Sequence, residues 1–303
     1  MGSSAAAALP ADQPASTVEA IHIARPAEQT VPFVYVSPHS GADYAPEFLA
    51  ASRLDAMTLR RSEDSFIDEV FGGAPGHGAP LLKALFPRAY IDPNREPWEL
   101  DPQMFEDELP PHVNTTSPRV ACGLGTIARV VANGEEIYRR KLRFAEAAWR
   151  VAQLYEPFHV ALGRLVEETR ARFGCAVVVD CHSMPSLGAP NERDFGRRRP
   201  DIVLGDRFGT ACATPLTDAA ERALREIGFS VARNVPYAGG FTTHHYGRPS
   251  EGLHALQIEI NRDLYMDEER IERRPSLARL KARMDRLIAA LAAVDPRRLA
   301  QPA

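Results

Sequence analysis

The sequence predicts an α/β fold: a single-domain three-layer α/β/α sandwich with a mixed, largely parallel sheet. Three observations carry that expectation. The segment Ala176–Ser183 (AVVVDCHS) opens as an unbroken apolar, β-branched run, which reads as a strand covered on both faces. Phe33–Val36 is a second β-prone run, and it breaks at once into Ser37-Pro38-His39-Ser40-Gly41. Elsewhere strand-like runs alternate with helical periods, the order that builds a sheet with helices on its faces. A chain of 303 residues, 45% of them hydrophobic, can bury one such core without dividing.

Gly2–Thr30 is rich in Ala, Pro and Ser without periodicity, so residues 1–30 are expected as a disordered lead. The folded domain is expected over 31–295, with 296–303 as a tail. After the first strand, Ser62-Glu63-Asp64 reads as a helix start: Ser62 can cap, the acids suit the positive end of the dipole, and Phe66, Ile67, Val70 and Phe71 form an apolar stripe. Leu81–Phe86 and Ala89–Ile91 read as short strands, followed by a Pro-rich irregular stretch, Pro93–Pro118. Glu135–Phe173 has a helical pattern with a break at Pro157, and it delivers the chain into the strand at Ala176. Asp201–Leu204 (strand), Thr217–Ile227 (helix) and Phe229–Ala232 (strand) continue the alternation. A Gly-rich loop, Ala238–Gly252, leads to a strand at Leu253–Ile260, and an amphipathic helix over Asp267–Ala293 closes the domain.

A formal net charge of −4 and a pI near 6.2 supply no basic surface of the kind that neutralises phosphates, which argues against nucleic acid as a partner. No apolar stretch is long enough to span a bilayer, and Met1–Val31 lacks the charged start and apolar core of a secretory signal. A cytoplasmic protein with no membrane partner is expected. Cys122, Cys175, Cys181 and Cys212 show no CxxC spacing, so any metal is expected on nitrogen and oxygen ligands.

His39 and His182 both stand at strand carboxyl ends, where open α/β sheets bind ligands. Two imidazoles and a carboxylate suit Zn²⁺, which in catalytic sites takes three protein ligands and leaves the fourth position to water. Asp64 is the candidate acid and Glu63 its competitor; the helix dipole alone accounts for acids there, and spacing does not say which turns inward. In Asp92-Pro93-Asn94-Arg95, the planar fork of Arg95 matches a carboxylate and Asn94 adds a hydrogen bond, an anchor for an anionic substrate. The plainer alternative is an Asx-type turn with an exposed arginine. In Gln257-Ile258-Glu259-Ile260 one acid interrupts an apolar strand, and a buried carboxylate is paired or has a task. Glu259 is the candidate general base, or else an ion-pair partner of Arg262 or Arg95. From the Gly-rich loop, Gly240 suits close approach to a substrate, and Arg248, His245 or Arg95 is a candidate to stabilise an oxyanion. His245 reads equally as a loop histidine packed on Tyr246. Cys181 beside His182 offers a thiol nucleophile, but neighbours on a strand project to opposite sides.

Ser37-Pro-His39-Ser-Gly41, Glu63-Asp64 followed by Phe66-Ile67-Asp68, Asp92-Pro-Asn94-Arg95, Asp180-Cys-His182-Ser183, Gly239-Gly240-Phe-Thr-Thr-His-His245-Tyr-Gly247 and Gln257-Ile-Glu259-Ile together resemble the N-formylglutamate amidohydrolase family, in order from about Pro32 to Met266. The resemblance implies a fold similar to that of zinc carboxypeptidases and aspartoacylases, and cleavage of N-acyl bonds of amino acids. The type substrate is N-formyl-L-glutamate, an intermediate of histidine breakdown, which yields formate and the free amino acid. Carried onto this sequence, it implies His39 and His182 as histidine ligands of zinc and Asp64 or Glu63 as the carboxylate ligand. It further implies Asn94-Arg95 as the grip on the substrate carboxylate and Glu259 as the residue that activates water. One position departs from the carboxypeptidase His-x-x-Glu spacing: the acid would fall at Ala42, so Asp43 or the 63–64 pair must supply it. Two other readings stay open. One is a non-catalytic metal- or anion-binding protein on the same fold, with Glu259 ion-paired; the other is a zinc carboxypeptidase-like peptidase.

Overall fold

The computed structural model describes residues 19–131, 134–188 and 194–300, and in them the β-branched and aromatic runs assemble one large sheet. Its strands are β1 (Ile21–Ala24), β2 (Phe33–Ser37), β3 (Leu81–Ala84), β4 (Ala176–Met184), β5 (Ile202–Gly205), β6 (Val231–Arg233) and β7 (Leu253–Asn261), in the spatial order β1-β3-β2-β4-β7-β5-β6. β3, β2, β4 and β7 run parallel. β1 is antiparallel to β3 at one edge, and β5 runs antiparallel to β7 with β6 parallel to it. The sheet is thus mixed and mostly parallel, as the sequence predicts. β4 and β7 are buried throughout and pair from Ala176↔Leu253 to Met184↔Asn261.

Helices follow as α1 (Pro46–Ala51), α2 (Ala56–Arg60), α3 (Ile67–Val70), α4 (Pro118–Ala121), α5 (Phe144–Arg150), α6 (Glu156–Phe173), α7 (Thr214–Ile227), α8 (Phe241–Tyr246) and α9 (Ser276–Ala292). The period of two along the strands sorts their side chains into two layers. Phe33, Tyr35, Val177, Val179, Leu256 and Ile258 pack against α3, α7 and α9 through Ile67, Leu216, Leu224, Leu280, Met284 and Leu287. Val34, Val36, Val178 and Ala255 face α6 through Phe158, Leu162 and Leu165. Each of the buried Val, Leu, Ile, Met and Phe side chains among them contributes about 1.5–3 kcal/mol. A third cluster, with Phe48, Leu59, Leu100, Ile127, Ile137 and Leu142, anchors the irregular excursion between β3 and α5.

Several elements differ from expectation. β1 lies inside the stretch expected to be disordered: four residues among Ala, Pro and Ser gain order by pairing with β3, Ile21 opposite Ala84. The rest of that lead, residues 1–18, falls outside the described residues. Ala89–Ile91 is not a strand but part of a turn, closed by Tyr90 N donating to Pro87 O at 2.9 Å. The helical run begins at Phe144, not Glu135, where Asp107 Oδ2 accepts from Phe144 N and Glu146 Oε2 from Arg143 N, capping its first turn. At Pro157 the run does not break. A π-turn over Val151–Tyr155 precedes the proline at the start of α6, and such a turn absorbs the missing N–H and the ring.

The last helix starts at Ser276 rather than Asp267. Asp267 Oδ1 accepts from Glu269 N and Arg270 N, each at 3.0 Å, and this Asx turn joins β8 (Met266–Asp267) to β9 (Glu272–Arg273). The Gly-rich segment expected as a loop contains α8. Its Gly240 cap offers no side chain, and Asn94 Oδ1 supplies the cap from outside by accepting from Thr242 N at 2.8 Å.

Candidate functional site

The chain passes from β2 to β3 on one side and then to β4 on the other. The crevice beyond the carboxyl ends of β2 and β4 is therefore the switch point of the winding, where sheets of this class bind ligands. His39 lies two residues past β2, and His182 lies near the end of β4. The loop carrying His39 is pressed on the chain after β3: Asp43 N donates to Leu85 O at 3.0 Å, and a Cβ on Gly41 would stand 2.3 Å from Phe86 O. Glycine is required for that approach. Asp64 N then donates to His39 O at 2.9 Å, which brings the Asp64 carboxylate to the ring.

His39, Asp64 and His182 are buried together, with one ligand-type atom of each within 4.8 Å of the others. Asp64 Oδ2 lies 3.2 Å from His39 Nδ1 and 3.0 Å from His182 Nδ1. The far nitrogen of each ring meets a second carboxylate: His39 Nε2 is 2.7 Å from Asp92 Oδ1, and His182 Nε2 is 2.8 Å from Asp180 Oδ1. A carboxylate on the remote nitrogen orients the ring, fixes its tautomer and raises the basicity of the near nitrogen. Two such nitrogens and one carboxylate oxygen form a donor set that fits a borderline divalent cation of the zinc type.

The electrostatics agree with that chemistry. Burial works against the Asp64 charge, yet the bonds and charges of His182 and His39 hold its carboxyl well below the usual range. Asp92 is likewise desolvated, but Arg88, His39 and Arg95 hold it far down. His182 is raised well above the usual imidazole range: burial opposes its charge, and Asp180, Asp64 and Glu259 outweigh burial. Four acids around two imidazoles are a field that favours a dication.

Glu259 sits opposite His182 in the β4–β7 register. It is 7% exposed, and its Oε1 accepts from Gln257 Nε2 at 2.8 Å. Among the described residues it forms no ion pair with Arg262 or Arg95. Burial pushes its carboxyl up to about 7; His182 and Arg262 pull down and Asp64 and Asp180 push up. A carboxylate so tuned is able to take and return a proton near neutral pH.

Asn94 belongs to the same cluster, with Nδ2 3.2 Å from His182 Nε2 and N donating to Asp92 Oδ1 at 2.8 Å. Arg95 turns largely away from the role expected of it. Its Nε donates to Leu124 O at 2.9 Å and its Nη1 to Asn94 O at 2.7 Å, which leaves Nη2, 3.7 Å from Asp92, outside the backbone contacts. Arg88 is more accessible, its side chain 23% exposed, and donates to Asp92 Oδ2 at 2.7 Å.

The other predicted residues divide. Glu63 is not part of the histidine cluster: its carboxylate is taken up by Tyr44 Oη (2.8 Å), Ser65 Oγ (2.7 Å) and Arg60 Nε (3.2 Å), from which it accepts. Asp43 is exposed. Gly240 uses its N–H on Gln257 Oε1 at 2.9 Å, and a Cβ there would meet the Asn94 amide at 2.5 Å, so it serves the packing of Asn94. His245 and Arg248 are not at the cluster. They line a separate cleft of about 540 Å³ with Trp98, Tyr155, His159 and Tyr246; His245 stacks on Phe241, and Arg248 donates to His245 O and Glu251. The carbonyls of Pro93 and Arg95, on either side of Asn94, are bonded to His159 and Tyr155, which line that cleft. Cys181 faces the opposite layer, fully buried, where burial pushes its thiol well above the usual range.

The sequence does not by itself single out Asp180, Arg88 or the pairing of Asp92 with His39. Asp180 had a signal, since it lies two residues before His182 on the same strand face. Asp92 reads as a turn residue because Pro93 follows it.

The N-formylglutamate amidohydrolase family model matches residues 31–266. An N-formylglutamate deformylase of Pseudomonas aeruginosa is 29% identical over 79% of this chain and 84% of its own length. One of Pseudomonas putida is 27% identical over 78% and 83%. A crystal structure of N-formylglutamate amidohydrolase from Ralstonia eutropha JMP134 covers 92% of this chain and 99% of its own, at 38% identity and a TM-score of 0.84. With the six motifs in order and the fold shared over nearly its whole length, the chain belongs to the N-formylglutamate amidohydrolase family.

Proposed function

We propose that the protein hydrolyses the N-formyl group of N-formyl-L-glutamate or a closely related N-acyl amino acid, releasing formate and the free amino acid. The supporting observation is the convergence of His39, Asp64 and His182 beside Glu259, a buried carboxyl without an ion-pair partner among the described residues. The names of the Pseudomonas and Ralstonia relatives support the same substrate. His39, Asp64 and His182 would hold the metal, with zinc as the expected ion; when bound, zinc supplies Lewis acidity to the acyl oxygen and lowers the pKa of water. Glu259 takes a proton from the attacking water at its carboxylate and returns it to the leaving amine, so the C–N bond breaks with a neutral amine departing. Asn94 Nδ2, the Arg88 guanidinium and Arg95 Nη2 are the donors for the substrate carboxylate and the developing oxyanion. A cytoplasmic location and a place in histidine breakdown belong to this same reading.

The non-catalytic alternative requires an ion-paired Glu259, and the Gln257 contact speaks against it. The test is formate release from a panel of N-formyl and N-acetyl amino acids by metal-replete protein, with metal content measured alongside. N-formyl-L-glutamate is expected as the best substrate, and Glu259→Gln is expected to keep its metal while kcat falls by roughly 10²–10⁴. Metal-replete protein that hydrolyses no member of the panel would overturn the proposal.

A further inference from the structure

Arg262 follows directly on the last residue of β7, and its guanidinium commits all its bonded donors to one cluster. Nη2 donates to Asp64 Oδ1 at 3.1 Å and to Glu63 O at 2.6 Å, Nε to Ser183 Oγ at 3.0 Å, and Nη1 to Arg61 O at 3.3 Å. Ser183 Oγ itself donates to Asp64 Oδ1 at 3.1 Å. Asp64 therefore has two donors on Oδ1, while Oδ2 alone faces the two imidazoles. An unsupported carboxylate rotates freely about its last bond and offers either oxygen or both. Charge-assisted bonds from a planar, pre-organised fork remove that freedom.

We infer that Arg262 is a positioning residue that locks the Asp64 carboxylate with Oδ2 toward His39 and His182, so that this acid meets a cation through one oxygen. The inference rests on the metal-site reading given under the proposed function. Glu259, on the same strand, is bonded by Gln257 Nε2 and not by this guanidinium. Arg262 also lines a cleft of about 470 Å³ with Arg60, Arg61, Glu63 and Glu268. Shortening its side chain thus opens Asp64 Oδ1 to water as well as freeing it to rotate.

The experiment titrates metal-free full-length protein with Zn²⁺ against a chromophoric chelator, with the Co²⁺ absorption spectrum as a second readout of coordination. Wild type is compared with Arg262→Met, Arg262→Lys, Ser183→Ala and Arg60→Gln. Arg262→Met is expected to weaken Zn²⁺ binding about 10–100-fold and to alter the Co²⁺ spectrum; Ser183→Ala does so less, and Arg262→Lys recovers part of the loss. Arg60→Gln loosens Glu63 on the same segment without touching Asp64, and it is expected to bind as wild type does. A folded Arg262→Met with wild-type affinity overturns the inference, as does an equal loss in Arg60→Gln. If Arg262→Met does not fold, wild-type affinity in both Ser183→Ala and Arg262→Lys overturns it instead. Failure of wild type to bind Zn²⁺ removes the metal reading and this inference together. Wild-type binding with unaffected variants removes the inference alone.

Discussion

Glu63 and Asp64 are adjacent acids with opposite surroundings. Asp64→Asn is expected to abolish stoichiometric zinc binding while the fold persists, because the amide offers a poorer ligand to the cation. Glu63→Gln is expected to keep the metal and to lose about 1–3 kcal/mol of stability through its bonds to Arg60, Tyr44 and Ser65; metal analysis and urea unfolding of the two variants separate these outcomes. Glu259 carries a pH dependence. In the proposed role its active form is the ionised one, and its carboxyl is raised to about 7 by burial, so kcat/KM is expected to rise with pH as the proton leaves. A bound dication pulls that value down, so the acid limb of the pH–rate profile is expected at or below pH 7. The sequence made His39, His182 and Glu259 legible because each interrupts or ends an apolar strand. It could not separate Glu63 from Asp64, since the choice depends on Tyr44 and Arg262, which come from other segments, and on which way the local Arg60–Glu63 pair turns.

At the scale of elements, α6 with its π-turn anchors the segment that bears Asn94. Tyr155 Oη donates to Arg95 O at 2.7 Å, and His159 Nε2 donates to Pro93 O at 2.8 Å. With Nε2 the donor, His159 Nδ1 pairs with Tyr246 Oη at 3.0 Å, and that hydroxyl also lies 3.3 Å from His159 O. Burial lowers the His159 pKa to about 4, below the value near 6.5 of an unfolded histidine. Between these values the unfolded chain binds more protons, so stability falls as pH drops from about 6.5 toward 4, at most by roughly 3 kcal/mol. Urea unfolding across that range is expected to show this limb in wild type and to show it flattened in His159→Gln. The strands were legible from β-branched runs. The helix limits were not, because the caps that set them, Asn94 for α8 and Asp107 for α5, lie elsewhere in the chain, and Asp267 forms a turn where a helix start was read.

For the molecule as a whole, the proposed cation, held by side chains from the β2 loop, the segment before α3 and the end of β4, would bind the folded chain in preference to the unfolded one. At a free concentration about 100 times its dissociation constant, Zn²⁺ is expected to add about 2.7 kcal/mol and raise Tm by roughly 5–10 °C; the shift is absent in His182→Ala. The layered architecture was legible because strands and helices alternate, whereas the reversal of β5 and β6 was not, since strand direction leaves no mark on composition. The position of β7 between β4 and β5 also bears on biosynthesis. The β5–β6 pair has no neighbour in the sheet until Leu253–Asn261 has left the ribosome, and Glu259, the proposed proton acceptor, arrives on that same late strand. A nascent chain released before it carries both imidazoles but leaves long strand edges unpaired, the condition that favours aggregation. Completion of the sheet and assembly of the proposed reactive centre therefore depend on the same late strand.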